Sequence, residues 1–294
     1  MIAPVALAAG PWTERRRRTA ELRRRQPFAR ELLDFYGALL AVQEDAFGDA
    51  RQASPAVGEL VAYVVETVIP AVVDVSVAAG PVKLRDAVAR CVETTEPHDL
   101  VAAWVAGDNQ DMVERYLARA SLGPVLEALG PEAAASCAGP RDKRHCPGCG
   151  GPPQLSFFAR ADEDLAAGGR FLVCARCHGS WGYPRMTCAG CGEASSSRLP
   201  IFNEEGTSSG ERGSIVRGLQ GRLPDGRNGA EHPAVFPHIR IEACGTCRQY
   251  LLNIDLAAVA KAVPLVDELA ALPLDLYARE RGFSKITPNL LGSG

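Results

Sequence analysis

The sequence has little that would mark an enzyme or a membrane protein. Its longest apolar region, residues 60–82, is interrupted by Glu66, Pro70 and Asp74, which argues against an unassisted membrane span. An export signal is missing too: the apolar residues 1–10 precede the arginines instead of following them, and no small-residue cleavage site comes after. Arg24-Arg25 leads into charged, amphipathic sequence, unlike a twin-arginine signal. There is no Gly-rich phosphate loop, no serine on a strand–turn–helix elbow, and no three-ligand set with an open position for hydrolytic zinc. Lysine is scarce, four residues against 28 arginines, and aromatics make up only 6%. A soluble, cytoplasmic, non-catalytic protein is the expectation.

The 294 residues are enough for about two domains, and 47% hydrophobic content excludes wholesale disorder. The net charge of −3 excludes a generally basic nucleic-acid coat. It is unevenly spread. Residues 11–30 hold eight arginines against Glu14 and Glu21, a local charge of +6 on an otherwise acidic chain. Residues 1–27 read as a basic arm: a solvated, partly frayed helix, or a docking site for an acidic partner through Arg15, Arg16, Arg17, Arg18, Arg23, Arg24 and Arg25. No aromatics are interleaved with these arginines, which weighs against nucleic acid.

Ten cysteines stand out, eight of them in four Cys-x-x-Cys pairs: Cys146/Cys149, Cys174/Cys177, Cys188/Cys191 and Cys244/Cys247. In a reducing compartment such pairs are metal ligands or redox thiols before they are disulfides. A thioredoxin-like pair needs a βαβ context and would not come in four copies. Two such turns complete a tetrahedral four-sulfur site, so four turns make two sites. Sequential pairing gives one site from Cys146, Cys149, Cys174 and Cys177 and another from Cys188, Cys191, Cys244 and Cys247. The paired turns are then 24 and 52 residues apart. Crossed or nested pairings stay open. Gly150 and Gly192 suit the positive backbone angle of such a knuckle, whereas His178 and Arg248 at the equivalent positions are less suited. Zinc and iron both fit four sulfurs, with zinc the structural default. Cys91 reads as a buried apolar thiol and Cys137 as a free, exposed one.

The fold class expected is α plus a small amount of β. Residues 28–130 form an all-helical domain, with Phe28, Leu32, Phe35, Leu39 and Val42 on one buried face. Ser54-Pro55 marks a helix start, and Gly123-Pro124 a break within residues 110–129. Residues 131–145 read as a linker. Two ribbon-like metal domains follow at 146–187 and 188–253, with strands at 154–158, 170–174, 238–243 and 249–253. Residues 203–232, rich in Gly and Arg, read as an exposed, mobile excursion. The last part, 254–294, holds two helices broken at Pro264 or Pro273 and a tail.

Taken together, Cys146-Pro147-Gly148-Cys149-Gly150, the string Arg170, Leu172, Cys174, Cys177, Trp181, Arg185, Cys188 and Cys191, then Glu242, Cys244, Cys247, Tyr250 and Leu251, and Asp267-Glu268-Leu269-Ala270 through Leu274-Asp275 to Gly282-Phe283, resemble the formate dehydrogenase accessory protein family, FdhE. The resemblance covers residues 146–290. The sequence departs from the family at Leu252, at Thr287-Pro288-Asn289-Leu290 and in the length of the 203–232 excursion. The resemblance implies a cytoplasmic maturation factor that binds the catalytic molybdoenzyme subunit of formate dehydrogenase. It also implies a helical domain joined to two rubredoxin-like units with one iron each, which turns the metal preference from zinc to iron. An alternative is a rubredoxin-like redox protein acting on the same client, its iron tuned by Trp181 and Tyr250. A zinc-ribbon nucleic-acid binder is a more distant one.

Overall fold

The computed structural model describes residues 11–160, 168–204, 214–216 and 234–294. Its first part is helical: α1 (Pro11–Arg25), α2 (Arg30–Ala53), α3 (Leu60–Tyr63), α4 (Ile69–Ala79), α5 (Val82–Thr94), α6 (Pro97–Ala106), α7 (Met112–Leu129) and the short α8 (Pro131–Ala135). Strands β1 (Pro153–Phe158), β2 (Arg170–Cys174), β3 (Ser180–Gly182), β4 (Ile201–Glu204), β5 (Ser214–Val216), β6 (Ile239–Ala243) and β7 (Gln249–Asp255) follow. Helices α9 (Pro264–Ala270) and α10 (Leu272–Glu280) and strand β8 (Ser284–Lys285) close the chain. The class is therefore α plus a small mixed sheet, as expected.

Helix α7 is the hub of the helical part. A reciprocal cap starts it: Asp111 accepts from the backbone N–H of Val113 and Glu114, both at 2.9 Å, and Glu114 accepts from that of Asp111. From Tyr116 to Leu126 every residue is buried, so the helix is enclosed on all sides. The break expected at Gly123-Pro124 does not occur. Pro124 cannot donate to the carbonyl of Ala120, and buried Gln43 of α2 donates to that carbonyl instead at 2.9 Å. Replacing the missing donor from a neighbouring helix lets the proline stay inside α7.

Other local expectations shift for equally physical reasons. Ser54 adopts a left-handed conformation that ends α2, so Ser54-Pro55 terminates a helix and the next turns begin at Val57. The buried stripe of α2 includes Leu33, Tyr36 and Leu40 beside Phe35 and Leu39, whereas Phe28 is exposed. Residues 57–79 are, among the described residues, one helical stretch apolar and long enough to cross a membrane, with a third of the window buried in the fold. A π-type turn at Val64–Val68 lies inside it, just before Pro70 removes a helical donor. Residues 131–145 are not a bare linker. They contain α8, and Arg141 donates to the carbonyls of Ala135 and Cys137 at 3.0 and 2.8 Å. Cys137 is buried, contrary to the exposed thiol expected, and Cys91 is buried as expected.

Strand order is β3-β2-β1-β7-β6-β4-β5, with β8 pairing separately on β7. The parallel pairing of β1 with β7, Ser156 opposite Asn253, joins the two cysteine regions into one sheet. A boundary at 187/188 therefore divides sequence but not the sheet, because β7 belongs to the second cysteine region yet completes the first. Much of the 203–232 excursion lies outside the described residues; its start is strand β4, and residues 214–216 form β5. Residues 256–263 are turns, not helix. Pro264 opens α9, and the break to α10 falls at Ala271, just before Pro273.

Candidate metal centres

Each Cys-x-x-Cys turn folds the same way. The N–H of the first cysteine donates to the carbonyl five residues on: Cys146 to Gly151, Cys174 to Gly179, Cys188 to Glu193 and Cys244 to Gln249, all between 2.8 and 2.9 Å. The residue after the second cysteine takes a positive φ in every turn: Gly150 at 70°, His178 at 56°, Gly192 at 82° and Arg248 at 59°. Glycine adopts this angle freely; His178 and Arg248 adopt it under constraint and are tied down by other contacts. Backbone N–H groups then point at sulfur, from Gly151 to Cys149, Arg176 to Cys174 and Gly190 to Cys188, each at 3.3 Å.

These turns bring the sulfurs together in two quartets, Cys146/Cys149/Cys174/Cys177 and Cys188/Cys191/Cys244/Cys247, each with all its sulfurs within 4.8 Å of one another. Sequential pairing is thus the arrangement seen, and crossed pairing is not. Facing sulfurs are 3.6 Å apart for Cys146 and Cys177, 3.3 Å for Cys149 and Cys174, and 3.7 Å for both Cys188–Cys247 and Cys191–Cys244. A tetrahedral ion with bonds of about 2.3 Å to four sulfurs needs sulfur–sulfur edges of roughly 3.8 Å, so both donor sets fit a tetrahedral divalent or trivalent ion. In the first quartet, hydrogen bonds from its neighbours pull the Cys146 thiol below its ordinary range, while hydrogen bonding to Cys146 pushes that of Cys177 above it. Four sulfurs this close would repel one another as thiolates unless a cation lay between them, so the donor set suits one.

The quartets differ in surroundings. In the first, Cys146, Cys149 and Cys174 are buried. Arg176 covers it, donating to the carbonyls of Cys149 and Ala138 at 2.8 Å with its guanidinium 5.3 Å over the Trp104 ring. His178 contacts Glu127 of α7, which also accepts from Arg15 of α1 at 2.9 Å. Burial pushes the Glu127 carboxyl up, but Arg15 and His178 outweigh it and hold it at about 2. Here the turn meets the helix so closely that a Cβ on Gly123 would lie 3.0 Å from the His178 ring. The second quartet faces outward, with Cys191 exposed and Cys247 half-buried. Thr246 donates to Glu193 at 2.8 Å, Tyr183 donates to the Cys188 carbonyl at 3.0 Å, and Arg144 donates to that of Gly190 at 2.8 Å.

Residues 1–10 of the basic arm lie outside the described residues; the rest, residues 11–27, is folded in, not frayed. Arg15 and Arg18 are buried, the latter in a bidentate pair with Asp267 of α9 at 2.9 and 2.5 Å. Arg16 pairs with Glu44, Arg17 with Glu14, Arg23 with Asp34 and Arg25 with Glu21. Arg15 and Arg18 therefore cannot present a free charge to a partner. Trp181 donates its indole N–H to the Lys143 carbonyl, and Tyr250 donates to Asp275 at 2.8 Å. Two buried networks join residues whose pairing the sequence does not announce. Lys285 sits between Glu268 at 2.8 Å and Asp275 at 3.1 Å, and Arg170 pairs with Glu242 at 2.6 Å. The first explains part of the Asp267-Glu268 and Leu274-Asp275 string, since both its acids are fully enclosed.

A helical protein with two four-cysteine turn pairs on one sheet is the class these features define. Within it, residues 226–291 match the family model of the FdhE C-terminal domain. The chain is 31% identical over 150 residues to a protein named Protein FdhE homolog from Aquifex aeolicus, a match covering 51% of this chain and 42% of that one. It is 31% identical over 146 residues to a homolog of the same name from Pseudomonas aeruginosa, covering 50% and 38%. Its fold is that of the crystal structure of the FdhE protein from Pseudomonas aeruginosa, with a TM-score of 0.59 at 21% identity over 96% of this chain and 95% of that one. The chain thus resembles the FdhE family in the match of residues 226–291 to its C-terminal domain model, and shares the fold of the FdhE crystal structure. The sequence matches span about two fifths of the curated relatives' length.

Proposed function

We propose that this protein is a cytoplasmic, non-catalytic accessory factor for formate dehydrogenase, which binds the immature catalytic subunit through a scaffold held by two metal ions. The observation that carries the reading is the FdhE likeness, joined to two sulfur quartets of tetrahedral size. Cys146, Cys149, Cys174 and Cys177 would hold one ion and Cys188, Cys191, Cys244 and Cys247 the other. A bound ion supplies a cross-link between turns far apart in sequence. Iron is favoured over zinc by the family resemblance, and the four-sulfur donor set accepts either. The two ribbons belong to one sheet because β1 and β7 share a ladder. Arg16, Arg17, Arg23, Arg24 and Arg25 remain the arm residues available to an acidic partner.

A strain lacking the gene tests the reading. Formate dehydrogenase activity falls and is restored by the intact gene; normal activity in the deletion strain refutes the reading. A second reading, a redox protein acting on the same client, is favoured by the exposure of Cys191, which opens the second quartet to electron or ligand exchange. Colourless protein carrying two zinc ions rules that reading out, whereas visible thiolate-to-iron absorption supports it.

A further inference from the structure

Helix α7 carries Met112, Arg115, Tyr116 and Arg119 at the i, i+3, i+4, i+7 spacing of a single face. Opposite this face runs the tail around Asn289 and Leu290, and between them lies a cavity of about 220 Å³. That is room for roughly seven waters at about 30 Å³ each. Two like charges one turn apart repel. Among the described residues neither arginine is within ion-pair distance of a carboxylate, although the charge of Glu268 acts on Arg119. Arg115 donates to the Asn109 side chain at 3.4 Å and to the Gln110 carbonyl at 2.6 Å. Arg119 donates to the carbonyls of Ala175, Pro288 and Asn289 and to the Gln154 side chain.

The tail is shaped to leave one more donor. The Asn289 side-chain oxygen accepts from the N–H groups of Leu291 and Ser293, both at 3.0 Å, closing a tight turn. Its amide nitrogen, buried, has no partner. A buried unsatisfied amide stands beside Arg115, which among the described residues has no carboxylate within ion-pair distance, and Arg119, whose burial outweighs the nearby charge of Glu268; grouped around one cavity, they ask for a ligand that accepts hydrogen bonds and carries negative charge. Met112, Leu290 and the Tyr116 ring supply apolar wall for a short carbon body.

We propose that the cavity between α7 and the 288–292 tail binds a small organic carboxylate of about ten non-hydrogen atoms, its carboxylate held by Arg115, Arg119 and Asn289. The proposal does not rest on the accessory reading, and at its Arg119 end the site adjoins the first quartet, since Arg119 donates to the Ala175 carbonyl inside the Cys174-x-x-Cys177 turn. Free small acids and the C-terminal carboxylate of a peptide share this chemistry.

Calorimetric titration of the full chain with benzoate, N-acetylglycylglycine and inorganic phosphate tests the proposal. Benzoate alone points to a free acid, and N-acetylglycylglycine alone to a peptide end. Either binds with Kd of about 1 mM or tighter. Arg115→Gln weakens that binding about tenfold. Met112→Trp, at an exposed rim position, blocks entry without disturbing the core. Both variants should retain the parent's melting temperature; where Arg115→Gln does not, Met112→Trp decides. The proposal is overturned if neither carboxylate binds at 10 mM, if phosphate binds and they do not, or if Met112→Trp leaves binding unchanged.

Discussion

Replacing Arg18 by Met tests whether the arginine-rich helix α1 is a structural strut or a free docking arm. The guanidinium is 2% exposed and grips Asp267, itself 1% exposed, with two hydrogen bonds. Asp267 also accepts from His238 Nε2 at 2.7 Å and from the Val263 N–H at 2.8 Å, so α1, the turn leading into β6 and the start of α9 meet on one carboxylate. Methionine fills much of the same volume but leaves the carboxylate without its main counter-charge. Removing one partner of a buried ion pair costs about 3–5 kcal/mol. For a chain of this size that lowers the melting temperature by roughly 6–15 °C. Arg16→Met is the control. Arg16 is half exposed in its pair with Glu44, so its loss changes stability by about 0.5 kcal/mol or less. Calorimetry of both variants in the metal-loaded protein reads the difference. Replacing Asp267 by Leu in the Arg18→Met background should restore part of the loss. Equal melting temperatures for the two single variants would refute the reasoning and return Arg18 to the surface.

Asp267 also sets an acid limit. Burial pushes its carboxyl up, but hydrogen bonds from His238 and Arg18 outweigh this and hold it below 3.8 in the folded protein. The stability it contributes is complete above about pH 4 and is lost as the pH falls through that lowered value; acid titration of the melting temperature should show a steeper fall in the parent than in Arg18→Met. Chelator challenge of the metal-loaded protein should release one ion per chain quickly and the other slowly, because Cys191 is exposed while three of the first quartet's cysteines are buried; Cys191→Ser should remove the fast phase, and a single phase would contradict the asymmetry. Gly150→Ala should destabilise the first quartet far more than Gly192→Ala does the second. Both sites have positive φ, worth roughly 1–2 kcal/mol of strain, but a Cβ at Gly150 would also lie 2.7 Å from the Gly139 backbone, whereas at Gly192 it meets open space; equal losses of metal and melting temperature would count against this packing. Iodoacetamide on the folded, metal-loaded chain should modify neither Cys91 nor Cys137, both buried, and rapid labelling of Cys137 would restore it to the surface.

Most of the metal chemistry was legible in the sequence because it is local. A Cys-x-x-Cys turn is closed by hydrogen bonds within six residues, so its spacing alone dictates its shape, and even the glycines at 150 and 192 announce the positive φ. The strands beside the turns were legible for the same reason, since the apolar run 170–174 ends at Cys174 and 249–253 begins just after Cys247. What was not legible depends on residues far apart. Arg15 finds Glu127 and Arg18 finds Asp267 across the fold, so a run of arginines that looks solvated becomes partly internal. Pro124 stays inside α7 only because Gln43 caps the Ala120 carbonyl. Cys137 is enclosed because α8 and Arg141 turn an Ala- and Pro-rich stretch into packed structure. The fusion of two ribbons into one sheet rests on the β1–β7 pairing, with Ser156 and Asn253 97 residues apart in the chain, for which no local pattern exists.

Co-purification tests the central claim most directly. Affinity-tagged protein, metal-loaded and expressed beside the catalytic subunit of formate dehydrogenase, is captured and its partners are identified. The account predicts that the subunit is retained, and that a variant with Cys174 and Cys177 both replaced by Ser, which loses the first metal, retains much less of it. Absence of the subunit from the captured fraction, with the intact protein folded and carrying two metal ions, would contradict the account.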